Sequence, residues 1–492
     1  MDAESAELDE GAARCGELGE GDEVCSLQAA EADSPAESEE FLFRAMTVLN
    51  SPLAFCLSFR GDQQRVADGE MDIDQGALTR FFNKLHEELS PREEVIQILE
   101  SSIDMLTERV RKHAWNDPVF PYAARAIVLL LSNPHVDLFV DQKLGIKAAD
   151  TIMTMRFLHK RDFPKVERLL STTPVDVLEN VLGKFQSLLQ FLLMSPMRGL
   201  RRHELQPLFF AIDAIFAANC LKYGKRIPLK AFYNDAIEPE VAGPVLQEEY
   251  LNWMDNRDEC LRMNREFSKD TSFSQFFFPW IFEPRLKSIF VRIDSKLQQR
   301  EERRKQMLSF LQVPGQFNLN QLHSGGCVLK VRRENIIEDA LNGLLKPHMN
   351  LNSELKVVFV GEPGVDEGGV RKEFFQILTR ELLKPEFGMF QFSEETRFYW
   401  FRGDSFESNL KFELVGMLLG IAIYNGVILD VQFPTACYKK LLGQKPNIGD
   451  VLEFSPQLYK SLEYLLNYSV SQRVRLRRAS SAFRRRSARR SP

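Results

Sequence analysis

The sequence predicts a mainly α protein in which a helical N-terminal region is followed by a smaller α+β region. Three observations carry this. From 41 to 225, apolar residues recur three and four positions apart, the spacing of a helix face. Short β-type runs alternate with such helices only from 327 onward, beginning with Val328–Val331 and Lys356–Val360. The composition, 44% hydrophobic and 27% charged, is that of an ordinary globular protein and excludes collagen, coiled coil and disorder throughout. At roughly 150 residues per domain, 492 residues suggest about three units.

Residues 1–40 hold 14 acids and one base, Arg14. So acidic a run, rich in Ala, Ser and Gly, buries too little apolar surface to offset chain entropy, and a disordered tail is expected. Within the helical region 41–225 the clearest helix has Thr173 as N-cap and Pro174 at its first position. Val177, Leu178, Val181, Leu182, Phe185, Leu188, Leu189 and Leu192 then share one face. Similar patterns predict helices at 76–89, 92–112, 145–158 and 203–221, with no fixed period that would establish a repeat array.

The segment 226–326 is aromatic and leads into the α+β region. Phe273, Phe276, Phe277, Phe278, Trp280 and Phe282 precede Pro284 and a helix with Leu286, Ile289, Phe290, Ile293 and Leu297 on one face. Such rings can stack nucleobases, but no basic, glycine-containing sheet pattern accompanies them, so an aromatic joint within a core is the favoured reading. In 327–468, Met389–Phe392 and Arg397–Phe401 flank Ser393–Thr396 as a hairpin. The uncharged stretch Leu414–Leu429 falls short of the roughly 20 residues a bilayer span needs and reads as a core helix. Gly416 and Gly420, one turn apart, are expected to let a neighbouring element approach that helix closely.

Residues 469–492 hold nine arginines and no acid. A localisation or nucleic-acid segment is one reading. The lack of lysine and the Arg/Ser/Ala bias favour another, GC-rich nucleotides read out of frame or retained intron. The seven cysteines form no CxxC pair, which fits a reducing compartment, and the acidic amino terminus is no signal peptide. A cytoplasmic or nuclear location is expected. His323 and Cys327 lie four apart without the further ligands a metal needs, so neither metal nor cofactor is expected.

GEPGVDEGGVRKEFF (361–375) follows a strand and opens a helix. It lacks GK[ST], and Glu362, Asp366 and Glu367 would repel a triphosphate, so a nucleotide loop is excluded. Its glycines permit a tight strand-to-helix turn, and Asp366 and Glu367 stand near the helix N-terminus, where the macrodipole favours anions.

This string, with VLKVRRENIIEDAL (328–341), PEFGMFQFSEETRFYWF (385–401), ELVGMLLGIAIYNGVILDVQFP (413–434) and LYKSLEYLLNY (458–468), resembles the N-terminal lobe of HECT-type ubiquitin-protein ligases. The resemblance covers about 226–468, and more weakly the region from about 41 through FLFRAMTVLNSPLAFCLSFRG and MDIDQGALTRFFNKL. Within that family the Angelman-syndrome ligase is the expected nearest relative. The resemblance implies that a ubiquitin-conjugating enzyme passes ubiquitin by transthiolation to a cysteine of a C-terminal lobe, which delivers it to a substrate lysine. The implied partners are that enzyme, ubiquitin and a protein substrate; neither membrane nor nucleic acid is expected.

After Tyr468 the family continues with further helices and the catalytic lobe, whereas here the Arg-rich segment follows. No cysteine stands in the family's Thr-Cys-Phe context, so no catalytic residue is assigned. The chain is expected to be a partial lobe, inactive by itself, whose 320–468 region aggregates when isolated because apolar faces at 412–429 and 458–466 lack cover. Cys437, in FPTACYKKLL, is expected to be a packed helix residue. By the match, the conjugating-enzyme groove begins with Leu458, Leu462 and Tyr468. Leu458, Leu462 and Leu465 would equally form one face of any amphipathic helix, so core and docking readings both stand. The alternative function is a non-catalytic adaptor or competitor that binds substrate and conjugating enzyme.

Overall fold

The computed structural model describes residues 35–59, 73–89, 91–112, 120–195, 202–222, 226–237, 239–255, 274–311, 327–346, 349–362 and 368–466. The acidic segment up to 34, Phe273, His323, the loop 363–367 with its two carboxylates, Tyr468 and the Arg-rich segment lie outside them. The chain divides into two compact units, Met1–Glu283 and Pro284–Pro492. The architecture is mainly helical, and among the described residues the strands lie in the second unit.

The first unit is built from α1 (Pro35–Leu49), α2 (Pro52–Ser58), α3 (Gln75–Glu88), α4 (Arg92–Lys112), α5 (Phe120–Leu131), α6 (Gln142–Leu158), α7 (Phe163–Ser171), α8 (Val175–Met194), α9 (Arg202–Leu221) and α10 (Pro239–Asp255). Helix α6 packs against α4 and α9, and α9 also against α7 and α8. The eight residues predicted on one face of α8 are all buried. That helix starts one residue later than the sequence pattern suggests, because Pro174 is extended at ψ 140° and serves as N-cap itself.

Two amines, half-buried Lys184 and buried Lys222, close helix ends whose last carbonyls have no intrahelical partner. Lys184 Nζ donates to the carbonyls of Leu131 and Asn133, both at 2.7 Å, beyond the end of α5. Lys222 Nζ does the same at the end of α7, to Ser171 and Thr173. Helix α9 is long and apolar enough to cross a membrane, yet Leu208, Phe209, Ala211 and Ile212 are buried inside the unit. The aromatic turn 274–282 packs on it: Trp280 stacks with Phe216, meets Phe209 and Phe232, and donates its indole N–H to Asp213 at 2.8 Å. The aromatic joint is therefore a core feature of this unit.

The second unit opens with α11 (Pro284–Leu311). It continues through β1 (Cys327–Val331), α12 (Ile336–Leu344), β2 (Leu355–Phe359), α13 (Gly369–Leu382), β3 (Phe390–Phe392), β4 (Tyr399–Phe401), α14 (Asn409–Tyr424), α15 (Thr435–Leu441), α16 (Val451–Phe454) and α17 (Pro456–Leu466). β1 and β2 pair in parallel from Cys327↔Leu355 to Val331↔Phe359, with α12 as the crossover a parallel pair requires. Alternate residues, Cys327, Leu329, Val331, Leu355, Val357 and Phe359, form one buried face. Phe374, Phe375 and Leu378 of α13 and Leu414, Leu418 and Ile421 of α14 belong to the same core.

Both backbone groups of Leu355 are held by side chains. Its N–H reaches Asn425 Oδ1 at 2.9 Å, and its carbonyl accepts from Arg371 Nη1 at 2.9 Å. In the glycine-rich string, Gly361 (φ 89°) and Gly368 (φ 101°) occupy the left-handed region, which explains glycine at both ends of the turn between β2 and α13.

One glycine expectation is corrected. Gly416 and Gly420 lie on the exposed side of α14, and a Cβ built at either meets nothing within 4 Å among the described residues. The close approach occurs instead at Gly343 of α12, where a Cβ would stand 2.5 Å from Leu329 Cδ2 in the core. Gly343→Ala is expected to destabilise the full chain by about 1–3 kcal/mol through overpacking, and Gly416→Ala to leave it unchanged or stabilise it by up to about 1 kcal/mol. Chemical denaturation of both variants checks the pair.

His86 yields a second expectation. Its ring lies 4.2 Å from that of His135, and its Nε2 is 3.3 Å from Asn133 Nδ2. Burial first, then the charges of His135 and Arg92, lower its pKa from 6.5 to about 4. The unfolded chain thus takes up a proton below 6.5 that the fold refuses until about 4, so this contribution is full above 6.5 and is lost as pH falls toward 4. His86→Gln should flatten that part of the stability curve in thermal melts across the interval.

Candidate functional site

The C-terminal part of the second unit is organised by the β3–β4 hairpin, which pairs Phe390 with Phe401 and Phe392 with Tyr399. The turn closes through Ser393 N–H to Phe398 O at 3.0 Å and Arg397 N–H to Ser393 O at 2.8 Å, with Arg397 at φ 61°. On one face, the rings of Phe390, Phe401, Phe412 and Phe433 gather with contacting centroids 5.4–6.3 Å apart. Trp400, pointing the other way as strand alternation requires, lies flat on Phe454 of α16 at 4.9 Å and 3°.

Beyond the hairpin, directional polar contacts tie α15 to α16 and to the turn before it, while α17 is seated through buried Tyr459. Asp450 is 3% exposed and accepts from Lys439 Nζ at 2.7 and 2.9 Å. It also completes a capping box with Asn447, whose N–H reaches Asp450 Oδ2 at 2.7 Å. Glu453 of α16 caps α15 by accepting from both the N–H and the hydroxyl of Thr435, at 2.6 and 2.8 Å. Tyr459 is the buried residue of α17, 5% exposed, and its hydroxyl donates to Glu463 at 3.0 Å.

Of the predicted docking residues, Leu458 points away from the buried side of α17, while Leu462, three positions from Tyr459, lies at its edge. Leu458 is 47% exposed, Leu465 is also exposed and Leu462 is half-buried. Leu458 and Leu462 are one turn apart, while Tyr468 lies outside the described residues. The sequence pattern missed Tyr459, whose polar hydroxyl masks its role as the anchor, and the Lys439–Asp450 pair. The Asn447-x-x-Asp450 spacing was the one readable signal of that local fold.

None of the buried thiols is poised for nucleophilic chemistry. Cys437 is buried on α15, and burial raises its pKa. Burial pushes Cys56 up to about 12 and Cys327 up to about 11, where the Cys327 sulfur lies 3.3 Å from that of Met349. Among the described residues no group of three or more His, Cys, Asp or Glu is arranged to hold a metal.

Residues 376–482, which include the hairpin and α14–α17, match the HECT-domain (ubiquitin-transferase) family. That match and the relatives support membership of the HECT ubiquitin-ligase superfamily. Probable E3 ubiquitin-protein ligase HERC4 of Homo sapiens is 36% identical over 253 residues, 50% of this chain and 23% of that protein. HERC3 of Homo sapiens, named in the same terms, is 33% identical over 317 residues, 61% of this chain and 29% of that protein. HECTD2 of Mus musculus is 26% identical over 424 residues, 80% of this chain and 50% of that protein. The chain thus spans between 23% and 50% of the length of these relatives.

These relatives overturn the expectation of a nearest match to the Angelman-syndrome ligase. The quoted blocks supply Leu329, Val331, Ile336, Phe374, Phe375, Phe390, Leu414 and Leu418 to the core. Residues demanded by a shared core identify a family and not a branch within it.

The polar joint of α15 to α16 gives a direct test. Lys439→Met strands a buried carboxylate and is expected to cost about 3 kcal/mol, most of it recovered in the double variant Lys439→Met/Asp450→Asn. Urea unfolding of the full chain, with hydrogen exchange followed over 435–466, measures both.

Proposed function

We propose that this chain contributes a HECT-type ligase lobe that receives a ubiquitin-conjugating enzyme on the outward face of α17. Leu458 and Leu462 are the first contacts, and the helical first unit is available to a protein substrate. The observation that carries this reading is the coincidence of the family match at 376–482 with an α17 that buries Tyr459 and turns Leu458 and Leu465 outward. A docking helix needs apolar side chains that the fold leaves uncovered, and ubiquitin transfer needs the donor thioester held near its acceptor. In the superfamily's chemistry, ubiquitin passes from the conjugating enzyme's cysteine to a ligase cysteine and then to a substrate lysine.

Cys56, Cys327 and Cys437 do not supply that acceptor on this reading, because each thiol is buried and held protonated while the thiolate is the nucleophile. The same observation favours, as a second reading, an adaptor or competitor that engages conjugating enzyme and substrate without forming a thioester.

Leu458→Asp is expected to weaken binding of the full chain to its conjugating enzyme roughly 30-fold, equivalent to one hot spot of about 2 kcal/mol. The thermal melt should be unchanged, since Leu458 is exposed. Calorimetric titration against a panel of conjugating enzymes, with Leu462→Asp alongside, measures this; binding indifferent to both substitutions overturns the docking reading. Incubation with activating enzyme, conjugating enzyme and ubiquitin separates the two functional readings. A reductant-sensitive adduct lost on Cys437→Ala would show that Cys437 does accept ubiquitin.

A further inference from the structure

The second unit has a cavity of about 830 Å³ between α13, the turn that follows α14 and one residue of α11. Its wall carries four cations, Arg292, Lys372, Arg380 and Lys384, against one carboxylate, Asp430. Lys384 is engaged by Glu381 at 2.6 Å. Arg292, Lys372 and Arg380 make no salt bridge among the described residues, whereas Arg303, Arg332, Arg333, Arg371 and Arg402 of the same unit each hold a carboxylate. Three cations without counter-charges among the described residues, Lys372 and Arg380 from α13 and Arg292 from α11, make a local positive field that favours an anionic ligand.

The rest of the wall is apolar. Phe375 and Val427 are buried beside it, and Ile428 stands at its rim 94% exposed. The backbone explains this: Gly426 at φ 67° turns the chain after α14, Val427 N–H bonds to Ala422 O at 2.9 Å, and Ile428 is left projecting. Ile428 shares this wall with Arg292, Lys372 and Arg380, so one rim offers an apolar contact beside charge contacts.

We propose that this cavity binds an acidic peptide of a partner protein, with carboxylates against Arg292, Lys372 and Arg380 and an apolar side chain against Ile428 and Val427. The volume suits a few side chains. A nucleic acid would need exposed rings for stacking, but Phe375 is buried and Tyr399, the other ring of the wall, is packed against the core. The site uses no residue of α17 and so stands apart from the conjugating-enzyme reading.

The test is fluorescence anisotropy of the full chain with a fluorescein-labelled peptide, Glu-Asp-Leu-Glu-Leu-Asp-Glu-Leu. Saturable binding is expected, falling with added salt and weakened about tenfold by Lys372→Glu combined with Arg380→Glu, two exposed positions whose change leaves the melting temperature in place. Ile428→Ser, which alters no charge, is expected to weaken binding about threefold and separates the apolar contact from the electrostatic one. A peptide with lysine at every acidic position should not bind. Absence of saturable binding, or binding indifferent to both variants, overturns the proposal. So does a single-stranded oligonucleotide that binds more tightly than the peptide and loses affinity in the same variants.

Discussion

Two strands are too few to stand as a sheet alone, and the second unit depends on how the β1–β2 pair is covered and terminated. Covering comes from α12, α13 and α14, whose apolar stripes meet the buried face carrying Leu329, Val331, Val357 and Phe359. Termination is achieved at a single residue. Leu355 has its N–H taken by Asn425, at the C-terminus of α14, and its carbonyl by Arg371 of α13. Each bond satisfies a peptide group at the start of β2, and together they fix where two helices end or begin relative to the strand. The close passage of Gly343 over Leu329 belongs to the same constraint, since α12 must lie near the sheet for so small a core to be filled.

The region from α15 to α17 is held differently. Its described interior includes Ala436, Cys437 and Tyr459, and its cohesion rests largely on Asp450 and Glu453, which accept from Lys439, Asn447 and Thr435. Polar contacts of this kind specify orientation more sharply than apolar burial does. They fix α16, which leads into α17, while Tyr459 is the residue α17 buries and Leu458 and Leu465 stay exposed. A leucine that packs inward and a leucine displayed for a partner have the same periodicity in the sequence, so only the identity of the buried residue, Tyr459, separates the two.

That ambiguity marks the boundary of what the amino-acid order made legible. Helices α3, α4, α6, α8 and α9 were readable because each presents a long apolar stripe at helical spacing, and the strands because β-branched and aromatic runs lie between turn residues. Pro174 as an N-cap was not readable, because Pro next to Thr fits either of two starting positions equally well. Gly416 and Gly420 misled because spacing shows that two small residues share a face, but not whether anything lies opposite. The cation cluster was invisible for a related reason: Lys372 and Arg380 share α13, but Arg292, far earlier in the chain, joins them only through tertiary packing. The resemblance to HECT ligases was legible from blocks that fill the core, whereas which members it is most similar to was not.

The stack of Trp400 on Phe454 has an optical consequence. The indole lies parallel to a ring on α16, the short helix that leads directly into α17, while its own strand is anchored by Tyr399 N–H to Gln432 O at 2.8 Å. The emission of this half-buried indole therefore depends in part on a contact that joins the hairpin to the base of the helix bearing Leu458. Any tilt of α16 that parts the two rings would admit water to the indole and shift its fluorescence to longer wavelength. The protein carries, in its native residues, a spectroscopic gauge of how firmly that helix is seated.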